Sequence, residues 1–213
     1  MSIADIRTQY SLKSLLEADA LPDAIDQFQQ WWNEATHAEL TEVNAMTLAT
    51  ASADGLPDAR IVLLKDFSSK GFTFFTNYES KKGQELAQNP RACLVFFWKE
   101  LERQVRITGS VAKISKEDSE TYFFSRPVGS QLGAWASRQS QVLPDRNLLV
   151  EKLNSLQSEV DTGKAIGKPD YWGGYVVQPH RIEFWQGRPN RLHDRLLYTL
   201  QANGDWRIER LSP

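Results

Sequence analysis

The sequence predicts a mainly β fold, an antiparallel β-barrel with α-helices on its outside. Three observations carry that prediction. Short apolar runs with two-residue alternation recur along the chain, turn-forming residues join most of them, and only a few stretches switch to helical periodicity. At 213 residues, 41% hydrophobic and 24% charged, the chain is long enough to bury one sizeable core.

The elements follow in order. Residues 1–20 are polar and read as an N-terminal arm, with Arg7 and Tyr10 about one helical turn apart; residues 21–213 read as a single domain without repeat or linker. Pro22 opens a helix whose apolar stripe is Ile25, Phe28, Trp32 and Ala35. From Ala45, three β-rich runs broken by Asp54-Gly55 and by residues 68–71 read as an antiparallel meander. A short helix begins at an N-cap, Ser80, and stops at Asn89-Pro90. Strands follow at 92–98 and 104–114, then helices at about 116–125 and 145–162, the second striped by Leu149, Leu153, Leu156 and Val160. The tail returns to strands at 175–177, 181–186, 196–200 and 206–211, with Asn203-Gly204 as a hairpin turn.

Composition narrows function. A net charge of −2, from 25 basic and 27 acidic residues, argues against a nucleic-acid partner, so any anion site is a local cluster. The one cysteine, Cys93, can form no intramolecular disulfide, and no Cys/His spacing suits a metal. No leader-like N-terminus or membrane-length apolar run appears, and the expected setting is cytoplasmic.

Candidate chemistry lies in five segments. Arg60-Ile61-Val62-Leu63-Leu64-Lys65 is an apolar strand with a cation at each end, and regular alternation would point the two cations to opposite faces. In 76–82, a strand end, a loop and a helix start carry hydroxyls, Thr76 among them, and two lysines, Lys81 and Lys82, a setting receptive to phosphate. Tyr122, Arg126 and Ser130 recur every fourth residue, with Pro127 and Gly129 expected to end the helix before Ser130; Gln139 and Ser140 add neutral donors. Arg191, His193 and Arg195 alternate with Leu192 and Asp194, so an extended chain would present three potential cations on one face.

The runs RIVLLK, FTNYESKK, LERQV, YFFSRPVGSQLGAWASRQS, YWGG and IEFWQGRPNRLHDR, in this order, closely resemble the pyridoxine/pyridoxamine 5'-phosphate oxidase family over about residues 7–213. The resemblance implies a homodimeric split β-barrel with FMN at the subunit interface. It also implies oxidation of pyridoxamine and pyridoxine 5'-phosphates by O2 to pyridoxal 5'-phosphate, with release of H2O2 and, from the amine, ammonia. By likeness, Arg60 to Lys65, Phe75, Thr76, Lys81, Lys82, Gln104, Gln139, Ser140, Trp185 and Arg195 are the flavin positions. Lys65, Tyr122, Arg126, Ser130, Arg191, Leu192 and His193 are the substrate positions, Arg191 and His193 flanking the reacting carbon, with Arg7 and Tyr10 on an arm that closes over the pocket. Lys81 and Phe75 depart from the Arg and Tyr more usual there. Two rivals stay open at this point: another split-barrel flavin reductase, and a non-catalytic carrier of FMN or pyridoxal phosphate.

Overall fold

The structure is a computed structural model that describes residues 2–5 and 8–213. Its nine strands are β1 (Ala45–Ala51), β2 (Pro57–Leu63), β3 (Asp66–Ser68), β4 (Gly71–Asn77), β5 (Arg91–Trp98), β6 (Arg103–Lys113), β7 (Trp172–Gln186), β8 (Asp194–Leu200) and β9 (Trp206–Arg210). They form one antiparallel sheet in the order β2-β1-β5-β6-β7-β4-β3, with β8 and β9 branching from β7. The chain passes from β2 at one end of this order to β3 at the other through Leu64 and Lys65 alone, so the sheet has to curl. Lys65 N–H donates to Thr73 O at 2.9 Å where the two ends meet. The first strands are therefore not a meander: β1 pairs with β2 and β3 with β4, but β4 pairs across to β7.

Five α-helices lie among the described residues: α1 (Ala24–His37), α2 (Lys81–Gln88), α3 (Lys116–Ser125), α4 (Val128–Ala136) and α5 (Arg146–Asp161). Asp23 caps α1 by accepting from Ile25 and Asp26 N–H, one residue after Pro22. The buried face of α1 is Ala24, Phe28, Trp31 and Ala35, so Trp31 takes the inward place expected for Trp32, which is half-buried. Phe28 closes the curled sheet, packing edge-on against Phe67 and Phe72 at 4.8 and 4.9 Å. Inside lie Leu48 of β1, Leu94 and Phe96 of β5, Ile107 of β6 and Phe184 of β7. The stripe of α5 is half-buried throughout.

The two expected tail strands at 175–177 and 181–186 are one, β7, because a bulge absorbs the proline between them. Thr108 pairs with Arg181 and Gly109 with Pro179, leaving His180 as the extra residue. At the start of α2, a Cβ built on Gly83 would stand 2.1 Å from Tyr78 O. Gly83→Ala is therefore expected to lower stability by about 1–3 kcal/mol, read as a melting temperature roughly 2–10 °C lower, by forcing α2 off the β4 end. An unchanged melting temperature would contradict the close approach. No helix among the described residues is long and apolar enough to cross a membrane.

Candidate active site

The end of β2, the end of β4, the starts of α2 and α4, α3 and Trp172 enclose a cleft of about 680 Å³. It brings together Ile61, Val62, Leu63, Lys65, Phe75, Thr76, Lys82, Tyr122, Arg126, Ser130 and Gln139 from four separate sequence segments. Three aromatic rings wall it. Phe75 stacks on Tyr122 at 3.9 Å and on Trp172 at 5.4 Å, nearly parallel to both.

Among the described residues, two cations set into the walls of the cleft make no ion pair with a carboxylate, and the exposed Lys65 at its rim makes none either. Lys82 is 7% exposed, and its Nζ donates to Gln139 Oε1 at 3.2 Å and Ser80 Oγ at 3.4 Å, both neutral oxygens. Burial, reinforced by the nearby Arg60 charge, pushes the Lys82 ammonium below the ordinary lysine range. Arg126 lies over the Trp172 ring at 4.6 Å and donates through one terminal nitrogen to Ser130 O at 2.9 Å. Its other terminal nitrogen is buried with no partner, and burial lowers its affinity for the proton. A buried charge held without a counter-ion is costly, so both positions are suited to anions that arrive with a ligand. Among the described residues, no group of His, Cys, Asp and Glu could hold a metal.

Several expected positions sit elsewhere. Arg60 does not face the cleft: it donates to Asp58 Oδ2 at 2.7 Å and Glu85 Oε2 at 3.3 Å, and Lys81 pairs with the same Asp58 at 2.9 Å. Leu64 is core. Ser140, at φ 70°, is exposed and lines a neighbouring hollow of about 360 Å³. The parity conflict between Arg60 and Lys65 disappears because β2 ends at Leu63, so alternation does not extend to Lys65. Lys65 reaches over the Tyr122 ring at 6.0 Å. α3 ends at Ser125, before Ser130 as expected, and Ser130 lies in the first turn of a further helix, α4, masked in the sequence by Gly129 and Gly133. Asn77, Ser137 and Trp172 also line the cleft. The first ends β4 and the second caps the end of α4, and neither has a sequence signal of its own.

The remaining candidates form a second cluster at the far end of β7. Gln104 pairs with Trp185 across β6 and β7, and Trp185 pairs with Arg195 across β7 and β8. His193 packs on Trp185 at 4.6 Å, and Tyr10 of the arm meets Trp185 at 5.7 Å and His193 at 6.0 Å. Arg7 lies outside the described residues. The expected row of three cations is not formed. Residues 189–191 make a 3-10 turn with Asn190 and Arg191 at positive φ, and the strand begins only at Asp194. Arg195 is neutralised by Glu183, to which its Nε donates at 2.9 Å, while Arg191 and Leu192 are exposed.

His193 is not a cation either. Its Nδ1 accepts the Arg188 N–H at 3.0 Å, which leaves the proton of the neutral ring on Nε2. Burial, then the Arg191 charge, lowers its pKa below 6.5, with Asp194 opposing. The unfolded chain therefore binds this proton more readily, and the contribution of the neutral ring to stability fades as pH falls through the ordinary histidine range. The expected NMR titration midpoint of His193 lies below 6.5, and one at or above that value would contradict this environment.

Residues 33–158 match the family model described as pyridoxamine 5'-phosphate oxidase, and residues 172–213 match that of the pyridoxine 5'-phosphate oxidase C-terminal dimerisation region. A pyridoxine/pyridoxamine 5'-phosphate oxidase of Cupriavidus necator is 54% identical over 211 residues, 99% of either chain. Its namesake in a Cyanothece species is 55% identical over 213 residues, 100% of this chain and 99% of the relative. Among solved structures, PhzG from Burkholderia lata 383, in complex with tetrahydrophenazine-1-carboxylic acid, superposes with a TM-score of 0.88 at 31% identity, covering 95% of this chain and all of that one. A pyridoxamine 5'-phosphate oxidase-related, FMN-binding protein from Nostoc punctiforme, 16% identical with a TM-score of 0.69 over 87% of this chain and 97% of its own, shares the fold. With a curled antiparallel sheet of the split-barrel type and relatives above 50% identity along its whole length, the chain belongs to the pyridoxine/pyridoxamine 5'-phosphate oxidase family of oxidoreductases.

Proposed function

We propose that two copies of this chain together bind FMN and a phosphorylated B6 vitamer. The pair oxidises pyridoxine or pyridoxamine 5'-phosphate with O2 to pyridoxal 5'-phosphate, releasing H2O2 and, from the amine, ammonia. The observation that carries this reading is the pair of uncompensated cations, Lys82 and Arg126, in one aromatic-walled cleft. Each phosphate monoester brings about 1.5–2 negative charges, and two such ligands match two such positions.

We assign Lys82, Thr76 and Gln139, beside the start of α2, to the flavin phosphate, with Arg60, Lys81 and Ser140 as outer groups. Arg126, Lys65, Tyr122 and Ser130 take the vitamer phosphate. Bound flavin supplies a two-electron acceptor that O2 can reoxidise, leaving orientation and exclusion of water to the protein.

The second copy enters for a geometric reason. Phe75 in the cleft pairs with Gly174 on β7, whereas Trp185 stands eleven residues further along the same strand. At about 3.3 Å per residue, roughly 35 Å of strand separates the two clusters. A twofold pairing that sets the Trp185 end of one protomer against the cleft of its partner completes two equivalent sites. Gln104, Trp185 and Arg195 then meet the flavin, while Arg191 positions the vitamer and His193 donates to it through Nε2. The segment matched as a dimerisation region, 172–213, contains that entire end of β7. Ile61 and Leu63 beside the cleft, and Leu192 beside His193, are exposed apolar side chains suited to such a contact.

The direct test is a visible spectrum of the purified protein followed by anaerobic titration with each vitamer. A flavin spectrum bleached by a phosphorylated vitamer, and not by its unphosphorylated counterpart, with H2O2 formed on admitting air, is the expected result. Bleaching by tetrahydrophenazine-1-carboxylic acid alone, or a colourless protein that binds no flavin, would overturn the reading.

A further inference from the structure

The carboxylate of Glu102 has no part in the roles assigned so far, yet it is buried, at 9% exposure, without a cation in ion-pair reach among the described residues. Its charge is met by the arm. One carboxylate oxygen accepts both Ser11 N–H at 2.8 Å and Leu12 N–H at 3.0 Å, 91 and 90 residues away in sequence. Glu102 also stands at φ 53°, where glycine or asparagine sits with least strain, so the side chain is kept there at the expense of backbone comfort.

The same residue grips the site from its other side. Glu102 O accepts Gly187 N–H at 2.7 Å and Gln186 Nε2 at 3.2 Å, in the turn that leads to His193. Tyr10, one residue before the gripped amides, then lies against Trp185 and His193, so closely that a Cβ on Gly187 would come within 2.7 Å of the Tyr10 Cβ. Arg188, whose N–H holds His193 Nδ1, donates from its side chain to Lys13 O at 3.3 Å. Glu102 is thus bonded to both the arm and the turn at 186–187, and the arm meets the site turn directly through the Arg188–Lys13 hydrogen bond and the packing of Tyr10.

We propose that Glu102 is a positioning residue: its carboxylate docks the N-terminal arm on the β7 end of the site and so places Tyr10 against His193 and Trp185. The docking stands on geometry alone; only its consequence for turnover rests on the function proposed above.

The test follows amide exchange of Ser11 and Leu12 in the flavin-loaded full-length protein, with trypsin cleavage after Lys13 as a second readout. Glu102→Gly removes the carboxylate at a position glycine tolerates, Glu102→Asp keeps the charge but shortens its reach, and Glu102→Gln keeps an acceptor at full reach. Glu102→Gly and Glu102→Asp are expected to speed exchange and cleavage by about tenfold or more, with Glu102→Gln within about threefold of the parent. The vitamer KM should rise about tenfold in the first two while kcat stays within roughly threefold. Unchanged arm protection in Glu102→Gly overturns the proposal. So does faster exchange spread through the whole sheet together with a lower melting temperature, which would make Glu102 merely structural. If the parent protein oxidises no vitamer but arm exchange still answers to Glu102, the proposed function fails and the docking role stands.

Discussion

Arg126→Ala is expected to raise the KM for a phosphorylated vitamer by about a hundredfold, with flavin binding retained. The guanidinium has no carboxylate partner, one terminal nitrogen is buried and unbonded, and the plane is fixed over Trp172. A charge-assisted hydrogen bond is worth about 1.5–3 kcal/mol, and losing one or two of them to a phosphate gives a penalty of that order. The unliganded protein should answer in the opposite sense. Removing a half-buried cation that has no carboxylate partner leaves the melting temperature unchanged or raises it, most clearly in Arg126→Met, which keeps the apolar contact with Trp172. Steady-state kinetics and a thermal melt of the same variants check both halves. An Arg126→Ala protein that melts earlier but binds vitamer normally would show that Arg126 is a structural residue.

Arg191→Ala should act on turnover. The residue is exposed and held at φ 61° by the turn at 189–191, so its truncation disturbs no core. A fall in kcat on the order of 10²–10³, equal to about 3–4 kcal/mol of transition-state stabilisation, is expected with little change in flavin affinity. Equal losses of flavin affinity and kcat would assign Arg191 to the fold of the β7–β8 turn instead.

Much of the architecture was legible in the sequence because its signals are local. Ser80 and Asn89-Pro90 bracket α2 as capping chemistry dictates, and Asn203-Gly204 makes the last hairpin. What failed was long-range or locally masked. The meander reading broke because β4 finds its partner a hundred residues away in β7, which no alternation pattern encodes. Pro179 made one strand look like two, and two glycines hid α4, whose Leu132 and Ala136 face inward four residues apart. The cleft was legible as residue types, yet the sequence could not tell which cations were already spent. Arg60, Lys81 and Arg195 are paired with Asp58, Glu85 and Glu183, whereas Lys82 and Arg126 make no direct ion pair with a carboxylate. Nor could it show that the His193 cluster lies at the opposite end of β7 from the cleft, since spacing along a chain does not say where a strand begins.

That separation makes one experiment decisive: form dimers from equal amounts of Arg126→Ala and Arg191→Ala chains and assay pyridoxamine phosphate oxidation. If each site takes its cleft from one protomer and its Arg191 from the partner, half of the dimers are mixed and each mixed dimer holds one fully intact site. About a quarter of the wild-type activity should then return. Activity no greater than that of the two parent variants would mean that cleft and Arg191 act within a single chain, and the shared site would be wrong.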